Sequence, residues 1–104
     1  MPEPTPLPDT PDLLLRVETA LADRAALFER LHEEQTDCYR LLHGAVEGAP
    51  GLTVDRYGPL LLVQTFRAPL PEGALDALHG AAQAALGVPL LPVWNHRGGA
   101  RSAK

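Results

Sequence analysis

Eight side chains could together do chemistry on a polyanion: Arg40, Arg56, Tyr57, Arg67, Trp94, His96, Arg97 and Arg101. Guanidinium groups pair with phosphates, and aromatic rings stack on unpaired bases, which is how single-stranded RNA is held. Arg40, Arg56, Arg67, Arg97 and Arg101 are the candidate RNA contacts, because they fall on strands, at strand ends or in a tail without acids. The same residues also read as structure, with Trp94 in the core and Asp55–Arg56 as a structural pair.

Other constellations are weaker. The histidines His32, His43, His79 and His96 show no helical pairing and no acid at ligand spacing, so no metal site is expected. His32 and His79 read as solvated imidazoles at helix edges. Cys38 is the single cysteine, which excludes a disulfide framework and any multi-thiolate centre. It reads as packed or half-buried; strand alternation puts Arg40 on its side and His43 on the other. Glu33 and Glu34 are adjacent on a helix and diverge by about 100°, so they do not converge on one atom. No GxGxxG, GxxxxGK[ST], GxSxG or HExxH occurs. The glycine loop Gly44 to Gly51 lacks Lys and hydroxyl residues and reads as a turn.

Length and charge bound the answer further. A chain of 104 residues with 45% hydrophobic content supports one small core without staples. The net charge of −4 argues against a general nucleic-acid coat. Residues 1–50 hold ten acids against four Arg, whereas 88–104 hold three bases and no acid. No apolar run approaches a membrane span and no signal-peptide pattern opens the chain, so a cytoplasmic location is expected, with no membrane partner.

The elements that must position these residues follow from periodicity. The segment 1–11, with five prolines, reads as an extended, solvated lead-in. Thr10 as cap and Pro11 at the first position open one amphipathic helix of about six turns, to roughly Glu34. Its stripe is Leu14, Val17, Leu21, Phe28 and Leu31, with Leu13, Ala20 and Leu27 beside it. Cys38 to His43 reads as a strand. Leu52–Tyr57 alternates with period two, and across Gly58-Pro59 it forms an antiparallel hairpin with Leu60–Phe66. Glu72–Leu86 reads as a second helix closed by Gly87, and Leu90–Asn95 as a last strand that Pro92 confines to an edge or bulge. The expected fold class is α+β: an N-terminal helix, a three-stranded antiparallel sheet, a second helix and a final edge strand. One domain spans 12–97, and 98–104 is a basic tail or linker.

Residues 36–67, TDCYRLLHGAVEGAPGLTVDRYGPLLLVQTFR, carry a resemblance. Tyr39-Arg40-Leu41, His43-Gly44, Gly48, Pro50-Gly51-Leu52, Val54-Asp55-Arg56-Tyr57-Gly58 and Val63-Gln64 match a segment of one family. The chain resembles the class I S-adenosylmethionine-dependent RNA methyltransferases related to the large-subunit rRNA cytosine-5 methyltransferases. With Asn95-His96-Arg97-Gly98 the resemblance covers about two thirds of the chain.

The resemblance implies turn roles for Gly48, Pro50, Gly51 and Gly58, and a hairpin-end polar contact for Asp55 and Arg56. It implies S-adenosylmethionine as cofactor of the full-length relatives and ribosomal RNA as a weak partner. Two departures stand out. Those relatives open with a small PUA-type domain, where this chain shows a proline-rich stretch and a helix, and their cofactor-binding domain would follow Arg97. No catalytic or cofactor residue is therefore carried over, and the expectation is a fragment of a longer enzyme, inactive alone and missing its catalytic partner domain. The competing class is a freestanding RNA-binding or protein-interaction module.

Overall fold

In the computed structural model, residues 7–44 and 49–97 are described. The sequence implication of one long helix is corrected. Two helices, α1 (Thr10–Asp23) and α2 (Ala25–Glu33), meet at Arg24, whose ψ of 6° leaves the helical basin. The amide of Arg24 donates to Leu21 at 3.1 Å, tightening that turn. The reason is composition. Residues 22–26 are Ala-Asp-Arg-Ala-Ala, so no large apolar side chain holds this turn to the core. Beyond the break Phe28 stacks on Tyr39, with ring centroids 5.5 Å apart.

Thr10 is not the cap; Asp9 occupies that position, and the Thr10 hydroxyl donates to the Glu72 carbonyl at 2.8 Å. Leu7 is buried as well, so the lead-in is not solvated up to the helix. Residues 1–6, 45–48 and 98–104, and with them Gly48 and Arg101, lie outside the described residues.

The sheet has the order β1 (Cys38–His43), β2 (Leu52–Tyr57), β3 (Leu60–Thr65), β4 (Leu91–His96). The first three strands are antiparallel, as the alternation and the Gly58-Pro59 turn require. β4 returns through α3 (Ala74–Leu86) and pairs parallel to β3 at the edge, where Pro92 is tolerated. The α+β class with a final edge strand is thus the observed one.

One face of the sheet is covered. Leu42, Leu52, Leu61 and Val63 are fully buried with Leu13 of α1 and Ala74 of α3, and Val54, Val17, Leu21, Leu78 and Ala82 complete the core. α1 packs on both α3 and β1. The other face carries Cys38, Arg40, His43, Thr53, Asp55, Tyr57, Leu60, Leu62, Gln64, Leu91, Val93 and Asn95, by strand alternation and cross-strand register. Among the described residues no helix is long and apolar enough to cross a membrane.

Candidate nucleic-acid interface

A bulge in β1 decides what the open face presents. The register slips between Arg40 and Leu42, so Leu41 and Leu42 both enter the core, 1% and 0% exposed. The extra residue restores His43 to the open face, opposite Thr53 and on the side of Arg40 and Cys38. Simple alternation had placed His43 on the opposite side; the bulge overturns that.

Of the five candidate arginines, the four that are described take different positions. Arg40, midway along the edge strand β1 on the open face, donates from Nε to Asp55 Oδ1 at 2.7 Å and from Nη2 to Oδ2 at 3.1 Å. This fork-to-fork pair joins β1 to β2 and satisfies a carboxylate that is almost wholly buried. The hydrogen bond that Arg40 donates to Asp55 raises the Arg40 pKa above its usual value, Coulombic attraction adds to it, and desolvation opposes. Arg56 lies on the covered face. Its Nη1 donates to the Tyr39 hydroxyl at 3.0 Å and approaches His32 Nε2 at 3.3 Å, and its Nε donates to the Gly58 carbonyl at 2.9 Å. Asp55 and Arg56 therefore do not pair with each other: neighbours on a strand point to opposite faces, and each finds its partner on β1.

Arg67 and Arg97 flank Phe66, just past the ends of β3 and β4. The Arg97 amide donates to the Thr65 carbonyl at 2.7 Å, its Nη1 reaches Gln64 Oε1 at 3.5 Å, and its guanidinium lies 6.0 Å from the Phe66 ring centroid. The stem of Arg67 passes over Gly51, whose φ of +85° and missing side chain admit it. Arg67, Phe66, His43, Thr53, Leu52 and Gly51 enclose an open cleft of about 360 Å³ at this end of the sheet. The Thr53 hydroxyl is buried without a hydrogen-bond partner. Such a group costs about 1–3 kcal/mol relative to a paired one.

Sequence reasoning missed Phe66, Thr53, Gln64 and, through the bulge, His43. The adjacent Phe66-Arg67 pair at a strand end was the available signal. Other expectations shift too. Trp94 is not core: it is 40% exposed, and its Nε1 donates to the Thr65 hydroxyl at 3.0 Å, which also bonds His96 Nδ1 at 2.7 Å. His32 and His79 are part-buried and bonded, to Tyr39 at 2.6 Å and to the Leu90 carbonyl at 2.6 Å. Cys38 is exposed rather than packed, with Sγ 3.6 Å from Asp37 Oδ1. No group of three or more His, Cys, Asp or Glu side chains could hold a metal ion among the described residues.

The open face is thus divided. Tyr57, Leu60, Leu62, Leu91 and Val93 form an apolar end, with Leu91 64% exposed. Across the Arg40–Asp55 pair lies a polar, cationic end built from His43, Thr53, Gln64, Phe66, Arg67 and Arg97.

Comparison with known proteins gives one relationship of note. Over 54 residues, 51% of this chain, the sequence is 48% identical to a ribosomal RNA large subunit methyltransferase of Deinococcus radiodurans. That stretch is 13% of the relative's length, so the chain matches only a small part of it. No family model matches the sequence.

Proposed function

We propose that this chain is a segment of a ribosomal RNA large-subunit methyltransferase, and that it meets RNA through the cationic end of its open sheet face. The 48% identity over 54 residues carries this reading. The PGLTVDRYG stretch supports a finer assignment, to the class I enzymes that use S-adenosylmethionine and act on carbon 5 of cytosine. The cofactor and the catalytic residues belong to another part of such an enzyme. A carboxylate and ribose of that kind are commonly held at a glycine-rich turn leading into a helix N-terminus. In this chain the glycine-rich stretch before Leu52 joins two strands instead.

Arg67 and Arg97 are the phosphate contacts in this reading, and Arg101 in the basic tail is a third. Arg40 and Arg56 act mainly on the sheet, since their guanidinium groups are engaged by Asp55 and by Tyr39 and Gly58. With so few contacts, affinity for RNA falls at about 10⁻⁴ to 10⁻⁶ M, weakening with salt at a log–log slope of about −0.7 per phosphate on single strands.

Calorimetry and fluorescence anisotropy on the purified chain test both parts. The expected result is salt-dependent RNA binding without S-adenosylmethionine binding. Micromolar affinity for the cofactor would overturn the division of labour, and no RNA binding at low salt would reduce the segment to a spacer.

A further inference from the structure

We propose that the cleft between His43, Thr53, Phe66 and Arg67 takes one unpaired base of a single-stranded RNA. This inference rests on the reading of the chain as an RNA-facing segment and adds to it a specific subsite.

Three observations converge on this cleft. Its volume, about 360 Å³, accommodates a flat heterocycle, and its walls combine an aromatic ring with polar groups. Phe66 is 44% exposed as a whole residue, and Arg97, whose guanidinium carbon is 6.0 Å from the ring centroid, does not line the cleft. Phe66 thus offers exposed apolar surface for a base to pack on, while Arg97 supplies positive charge alongside. The third observation is the Thr53 hydroxyl. Thr53 is only 9% exposed, contributes to the cleft, and its Oγ1 has no partner. A hydroxyl both donates and accepts, and the edge of a base offers both complements. Its flanking positions in the sheet are His43, which is exposed, and Gln64, which is half-buried.

Phosphate alone would not need this arrangement. Cationic side chains on an open surface suffice for an anion, whereas an exposed ring beside an orphaned hydroxyl suits a group with both a π-face and a hydrogen-bonding edge. Arg67, on the cleft wall, then meets the phosphate of the same nucleotide.

The test is anisotropy on the full chain, using a labelled ten-nucleotide RNA of mixed sequence and an abasic oligomer of equal length and charge. The base-bearing oligomer should bind about tenfold tighter, and Phe66→Ala should abolish that difference. Thr53→Val should weaken binding of the base-bearing oligomer several-fold while holding or raising the thermal midpoint, because it removes an unpaired polar atom. Arg67→Ala should weaken both oligomers alike. Equal affinity for the two oligomers, or a Phe66→Ala variant that discriminates as before, would overturn the subsite and leave a phosphate-only surface, with the RNA-facing reading intact. A Thr53→Val variant that loses stability without losing binding would assign the hydroxyl to the fold. Absence of binding to either oligomer would overturn the subsite and the RNA-facing reading together.

Discussion

Tyr39 and Arg56 lie opposite each other on β1 and β2, with the guanidinium carbon 5.6 Å from the ring centroid and Nη1 donating to the phenol oxygen at 3.0 Å. One residue along, Arg40 and Asp55 form the second cross-strand pair, on the opposite face. The Tyr-Arg and Asp-Arg dipeptides of the matching segment are thus two locks on one ladder. The first clamps the sheet to α2 through His32 and Phe28, and the second ties the open face together.

Tyr39→Phe should keep the stack on Phe28 and lose only the hydroxyl, which Arg56 and His32 share. The expected loss is about 1 kcal/mol. Tyr39→Ala removes the ring as well and should cost about 3 kcal/mol or more. Urea denaturation of the two variants separates the terms; equal losses would mean that the ring contributes nothing.

The Arg40–Asp55 pair should outweigh the exposed helical pair Arg16–Asp12, at 3.3 Å. Arg40→Ala strands a carboxylate that is 5% exposed and should cost about 1–3 kcal/mol, tempered because Arg40 itself is half open to water. Arg16→Ala should change stability by less than about 1 kcal/mol. The raised Arg40 pKa keeps the cation charged at every pH below its unfolded value, so its contribution should be flat in pH across the neutral range. Thermal melts of the Arg40→Ala difference at pH 6 and 9 check this; a difference that shrinks at pH 9 would contradict it.

Much of this architecture was legible in residue patterns. The β2–β3 hairpin followed from period two and Gly58-Pro59, and the edge position of β4 followed from Pro92. The break at Arg24 was hidden because Phe28 continues the stripe of Leu21 seven residues on, as a straight helix would. The β1 bulge left no local mark either, since two consecutive leucines fit a strand of either register. That one inserted residue moved His43 into the cleft, and the cleft was illegible for the same reason. The pairing of Thr53 with His43 and Gln64 is a property of three strands, not of any one.

Gly51→Ala tests how the cleft is held. At φ +85° an L side chain is strained, and its Cβ would sit 3.0 Å from Arg67 Cγ. The expected loss is about 1–2 kcal/mol, with a displaced Arg67 and weakened RNA binding. A neutral effect on both would show that Arg67 is not seated by Gly51. At Gly44 the obstacle is backbone: an added Cβ would run into the Ala49 carbonyl oxygen, so Gly44→Ala should be more damaging still.

The apolar end of the open face should announce itself in solution. Leu91 and Val93 are 64% and 39% exposed and share a face with Tyr57, Leu60 and Leu62. The chain should bind an environment-sensitive apolar dye while folded. The double substitution Leu91→Lys/Val93→Lys should suppress that signal with little change in stability, about 1 kcal/mol at most, as surface positions allow. A dye response unchanged in the double variant would place the apolar surface elsewhere.

The most direct measurement of the central claim is a segment exchange. The 54-residue stretch of the Deinococcus radiodurans methyltransferase that matches this chain would be replaced by the corresponding residues of this chain. Methyl transfer to large-subunit ribosomal RNA would then be followed with labelled S-adenosylmethionine. The segment reading predicts a folded chimera that retains rRNA methylation. A chimera that folds, binds the cofactor and yet transfers no methyl group to rRNA would contradict it.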